Sequence, residues 1–217
     1  MPTGWDAAVG WRKLQQALPP GLVRRTVEER AVDAILDHAR RLLRHAARPR
    51  RLDAVAWPGE GELDLEETIE RPRPWAPGDV RLLRQVPREA DVVAILDMSL
   101  SMTGEKTALV AVATAILRLK LENVAVVAFD TGARVLVRVG EVVSPRELVR
   151  RVLTVPAQGY TNIEGGLVAA ADQLRRSGRR ERVGLLLTDG IANVGGDPVS
   201  AAGRLPRPPI VYLGDHP

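Results

Sequence analysis

The sequence predicts an α/β fold: a doubly wound, mostly parallel sheet with one antiparallel edge strand, preceded by an N-terminal helical and extended segment. Three observations predict it. From residue 89 onward, short apolar runs alternate with helix-like stretches, the order expected of βαβ units. The runs are apolar at successive positions rather than every second one, so their strands are expected to be buried on both faces. Composition changes near residue 88: Trp5, Trp11, Trp57 and Trp75 all lie before it, and only Phe129, Tyr160 and Tyr212 supply aromatic rings after it. The expected organisation is therefore an N-terminal segment over 1–88 and a sheet domain over 89–217.

In the first segment, residues 22–47 read as a helix with an apolar stripe at Val27, Ala31, Ile35, Ala39, Leu42 and Ala46, at the three- and four-residue spacing of one helical face. The PRPWAP stretch around residue 74 reads as an extended linker, because proline cannot continue a helix. In the second segment, strands are expected at 91–97, 123–129, 183–189 and 209–213. Residues 134–139, RVLVRV, alternate arginine and valine after a DTGA turn, which suits an antiparallel edge strand in a hairpin. Helices fit between: 106–121; 145–153, opened by the capping box Ser144-Pro-Arg-Glu147; 161–176, opened by Thr161-Asn-Ile-Glu164; and a short one capped by Asp197 that ends near Gly203. Gly165 and Gly166 would let the third of these approach the sheet closely.

Composition narrows the function. With 45% hydrophobic residues in 217, the chain can fill a core. There is no cysteine, which leaves no disulfide framework and no thiolate metal site and agrees with a cytoplasmic setting. The start, MPTGWDAAVGW, has no charged-then-apolar leader pattern. The longest apolar run, 108–117, falls well short of the roughly 20 residues that span a bilayer, so no membrane role is expected. Net charge is +4, and only Lys13, Lys106 and Lys120 among the 31 cations are lysines. The distribution is uneven: residues 24–51 carry nine arginines against four acids, whereas 52–70 carry seven acids and no cation. The arginine-rich helix reads first as a solvated face, and the tryptophans as packing anchors.

Polar residues gather where the predicted strands end. Asp97, Ser99 and Ser101 follow the first strand in DMSLSM; Tyr160-Thr161 precedes a helix; Thr188-Asp189-Gly190 closes the strand 183–189. In an open doubly wound sheet these carboxyl ends form the ligand crevice. Carboxylate and hydroxyl oxygens with no imidazole or thiol suit a hard cation, magnesium above all, with manganese or calcium as the alternatives. Serine caps and an ordinary Asp-Gly turn would account for each piece taken alone.

The three pieces in this order, D-x-S-x-S, then a threonine in GYTNIEGGL, then TDG at a strand end, resemble the metal-ion-dependent adhesion site of von Willebrand factor A (VWA) domains, over roughly residues 90–213. The resemblance implies metal ligation by Asp97, Ser99 and Ser101, by Thr161 directly or through water, and by Asp189 largely through water. It implies a partner's Asp or Glu completing the metal shell, and binding without enzymatic turnover. Leu100 stands where the family often has glycine. The chain stops four residues after Leu213, before the last helix of a full VWA domain, so a sheet edge or face would be left bare unless the N-terminal segment covers it. GELDLEETIERP, residues 61–72, is similar to an acidic motif upstream of this domain in bacterial proteins paired with MoxR-type AAA+ ATPases, including the CoxE-like group. That implies an intracellular adaptor or co-chaperone.

Two other functions compete. A magnesium-dependent phosphoryl-transfer enzyme would use Asp97 as its nucleophile, but it needs a second aspartate two residues on, where Ser99 stands. An RNA-binding protein would use the arginine-rich helix, but no aromatic interleaving or binding module accompanies it. The TGEKT stretch, 103–107, lacks the preceding glycine of a phosphate-binding loop.

Overall fold

The computed structural model describes residues 4–44, 50–56, 58–70, 76–87, 90–190, 192–206 and 210–212. In chain order it runs α1 (Gly4–Ala17), α2 (Leu22–Leu43), β1 (Arg50–Ala56), β2 (Glu62–Leu63), α3 (Leu65–Ile69), β3 (Arg81–Pro87), β4 (Asp91–Asp97), α4 (Glu105–Lys120), β5 (Val124–Phe129) and β6 (Ala133–Val137). It continues with α5 (Pro145–Thr154), α6 (Ile163–Arg175), β7 (Arg182–Thr188), α7 (Pro198–Ala202) and β8 (Ile210–Tyr212). Two compact units result, one of residues 1–46 with 90–217 and the other of 47–89. Packing therefore divides the chain differently from the composition change at 88: α1 and α2 join the sheet unit.

The sheet of the larger unit has the order β6-β5-β4-β7-β8. Strands β4, β5, β7 and β8 are parallel, and β6 runs antiparallel at the edge beside β5, as the arginine–valine alternation predicts. Every residue of β4 and of β5 is buried, because helices cover both faces. On one face Ala94, Leu96, Val124, Val126 and Ala128 share a core with α4, α5, α1 and α2. On the other, Val93, Ile95, Ala125, Val127 and Phe129 share one with α6 and α7. Gly166 is why α6 can lie so close: a Cβ there would stand 2.6 Å from Cδ1 of Phe129. Gly165 has a different neighbour, the Asn162 side chain.

Helix α1 is absent from the sequence expectation. Its Ala8 and Trp11 are buried in the same core as α2, and the Trp11 indole N–H donates to the Leu153 carbonyl at 3.3 Å. The expected stripe on α2 is also corrected. Ala31, Val32, Ile35, Leu36 and Ala39 are buried, whereas Leu42 is 54% exposed, because the burying neighbours stop short of the helix's last turn; Ala46 lies outside the described residues. Arg146 pairs with Asp33, and Arg150 lies 3.6 Å from Glu28, so two acids of α2 face arginines of α5. Arg25, Arg30, Arg40, Arg41 and Arg44 are exposed, in keeping with a solvated basic face.

The smaller unit is a three-stranded antiparallel sheet of order β1-β3-β2, where only an acidic stretch and a linker were expected. Asp64 caps α3 by accepting the Glu67 N–H at 3.1 Å, and the buried Thr68 hydroxyl accepts the Arg81 N–H at 2.9 Å. Most of the PRPWAP linker, 72–75, lies outside the described residues.

Candidate metal site at the strand ends

The chain leaves β4 for β5 on one side and later places β7 on the other, so the carboxyl end of β4 is a topological switch point, where open α/β sheets hold their ligands. Asp97 ends β4 there, fully buried. Its Oδ1 accepts the Ser99 N–H at 2.9 Å, and its Oδ2 accepts the Thr188 hydroxyl, from the end of β7, at 2.6 Å. The Ser99 and Ser101 hydroxyls lie 3.1 Å apart. Ser99 is buried and Ser101 exposed, so the cluster opens to solvent at Ser101. Neither serine caps the following helix, whose N-cap is Gly104; this removes the simplest alternative to a ligand role.

The neighbouring loops are tied to this one through backbone. The Leu100 N–H donates to the Gly159 carbonyl at 3.3 Å and the Gln158 N–H to the Met98 carbonyl at 2.9 Å. Gly159 has φ 73°, and a Cβ there would meet the Thr131 hydroxyl at 2.6 Å, so the turn that delivers Thr161 requires glycine. Thr161 is buried; its N–H donates to Asn193 Oδ1 at 2.7 Å, and its carbonyl accepts the Asn193 N–H at 3.2 Å. The cap of α6 is Asn162, whose Oδ1 accepts the Gly165 N–H at 2.8 Å, one residue later than expected. The Thr161 contacts are thus made by its backbone, and its side chain is not the helix cap.

Asp189 completes the set. It is buried, its Oδ2 receives the Lys106 ammonium at 3.3 Å, and its Oδ1 has no hydrogen-bond partner. A buried carboxylate oxygen left without a donor costs free energy and marks a place for a cation or a polar ligand. Electrostatics agree: burial raises the Asp97 carboxyl above the usual carboxylate value, hydrogen bonds from Ser99 and Thr188 lower it, and the Asp189 charge adds to the rise. Among the described residues no group of three or more His, Cys, Asp or Glu side chains comes together, so the oxygens available here are two carboxylates and several hydroxyls. That donor chemistry, with the orphaned Asp189 oxygen, fits a hard divalent cation that keeps some of its water.

Sequence reasoning missed the direct partners Thr188, Asn193 and Lys106. Thr188 adjoins Asp189 in the TDG piece and Lys106 lies in TGEKT, but their pairings join residues far apart in the chain.

Residues 92–191 match the family model for the von Willebrand factor type A domain. The sheet has the VWA fold. Solved structures similar to it include proximal thread matrix protein 1 from the mussel byssus, 18% identical over 57% of this chain and 37% of that one, with a TM-score of 0.49. Others are the vWF domain of a type V pili tip protein from Porphyromonas gingivalis (22% identity, 49% of this chain and 40% of that one, TM-score 0.41) and a von Willebrand factor type A structure from Catenulispora acidiphila (24%, 56% and 32%, 0.45). The chain thus spans well under half of each of these structures. No curated protein matches the sequence. None of the helices among the described residues is long and apolar enough to cross a membrane.

Proposed function

We propose that this VWA domain is a divalent-metal-dependent protein-binding module that captures an Asp or Glu side chain of a partner. The observation that carries the reading is the buried Asp189 Oδ1 without a donor, beside Asp97, Ser99 and Ser101 at the switch point of the sheet. In this reading Asp97, Ser99, Ser101, Thr161 and Asp189 hold a magnesium ion, for which manganese or calcium can stand in. The ion supplies a Lewis-acidic position for an external carboxylate. The chain's own residues orient it: the Ser99 N–H and Thr188 hydroxyl fix both oxygens of Asp97, and the Gly159 carbonyl holds the loop between the two serines. Leu100, next to Ser101 in the chain, and Tyr160, next to the Gly159 whose carbonyl accepts the Leu100 N–H, are 65% and 61% exposed and offer apolar contact to a protein partner.

The module binds without turnover. Asp97 lacks the second aspartate, two residues on, that phosphoryl transfer requires; Ser99 stands there. The resemblance of residues 61–72 to the acidic motif of MoxR-associated bacterial proteins supports a cytoplasmic adaptor or co-chaperone of a MoxR-type AAA+ ATPase, in a bacterial setting. Calorimetric titration of magnesium into the full chain tests the central claim: wild type is expected to bind one ion and Asp97→Ala none. Equal binding by both would remove the site. Co-purification with a MoxR-type ATPase, lost in Asp97→Ala, tests the partner.

A further inference from the structure

Lys106 touches this site yet has no part in the reading above. Its ammonium lies 3.3 Å from Asp189 Oδ2, across 83 residues of sequence, and its side chain is 24% exposed. It is the second residue of α4, where the helix dipole disfavours a cation. The position is nonetheless firmly set. Gly104, at φ 63°, turns the chain into the helix, and the buried Thr107 hydroxyl donates to the Met102 carbonyl, tying the first turn of α4 to the loop that carries Ser101. A cation is therefore held at an unfavourable end of its own helix, against a carboxylate whose other oxygen is unpartnered.

We propose that Lys106 is a positioning and specificity-determining residue that makes the metal-loaded site select an anionic ligand. The inference rests on the metal reading. Asp97 and Asp189 together carry the charge that cancels a divalent ion; Lys106 adds a positive charge that nothing in the set of proposed ligands offsets. The loaded site is then cationic and favours a carboxylate over a neutral amide of the same shape. The same charge repels the metal, so Lys106 weakens metal binding while strengthening ligand capture. The two effects have opposite signs, which a merely structural role would not produce, because a distorted site loses both.

The test uses the full chain as wild type, Lys106→Met, Lys106→Gln and Lys106→Arg. Magnesium alone is titrated first by calorimetry. N-acetylglutamate and, separately, N-acetylglutamine are then titrated into magnesium-saturated protein, followed by amide chemical shifts. Both neutral variants are expected to bind magnesium about tenfold more tightly, and to lose most of the preference for N-acetylglutamate over N-acetylglutamine, while Lys106→Arg stays close to wild type. Unchanged magnesium affinity in both neutral variants, or a parallel loss of metal and glutamate binding, overturns the role of Lys106 and leaves the metal reading standing. Absence of magnesium binding by wild type overturns the metal reading itself.

Discussion

Asp97 carries an energetic cost in the metal-free protein. Burial raises its carboxyl above the usual carboxylate value, so the folded state holds the proton more tightly than the unfolded chain does. The sign follows: no penalty exists below the unfolded value, a penalty grows as pH rises toward the folded value, and it stays constant above it. Asp97→Asn is therefore expected to raise the thermal midpoint of the metal-free protein near neutral pH, where the penalty is present. It should also flatten the pH dependence just above the usual carboxylate range and abolish stabilisation by magnesium. Scanning calorimetry with and without the ion checks all three; a lower metal-free midpoint would mean that the charge is already compensated. The spacing of Asp97, Ser99 and Ser101 was legible in the sequence because it is local. The bonds from Thr188 to Asp97 and from Lys106 to Asp189 were not, because they join residues 91 and 83 positions apart.

At the scale of elements, the strands and helices of the sheet domain were readable because the central strands are continuous apolar runs, buried throughout, and the helices between them carry an apolar face at helical spacing. The expected strand 91–97 coincides with β4, and the other boundaries fall within one or two residues of those observed. Ser144 caps its helix as expected, its hydroxyl accepting the Glu147 N–H at 3.1 Å, but the Glu147 carboxylate accepts from Arg150 and Arg151, so only half of the expected capping box is seen. At α6 the cap moved from Thr161 to Asn162, a choice between adjacent polar residues that only the backbone path decides. The sheet β1-β3-β2 escaped notice because its strands carry charge and owe their existence to cross-strand pairing, which has no local signature. Gly166 allows a test at this scale. A helical Gly→Ala change normally gains about 1 kcal/mol, yet the added methyl would sit 2.6 Å from the Phe129 ring. Gly166→Ala is expected to cost about 1–3 kcal/mol instead. Thermal melting decides by sign alone.

For the molecule as a whole, the main consequence is that α1 and α2 belong to the sheet unit. They share the core on the α4 and α5 face. Trp11, buried with its indole N–H on the Leu153 carbonyl, anchors them. Trp11→Ala is expected to cost about 3–5 kcal/mol, lowering the midpoint by roughly 6–20 °C; a loss under about 1 kcal/mol, measured by urea unfolding, would show that these helices contribute little to the core. The sequence alone determined the α/β sheet, its buried strands, its antiparallel edge and the three polar segments at strand ends, because periodicity and local spacing encode burial and loop position. Only the tertiary structure decided that the N-terminal helices complete the core, that β1, β2 and β3 pair in a sheet of their own, and that a lysine meets the last aspartate of the site. Those outcomes depend on contacts between distant parts of the chain, whose free energy no local pattern records.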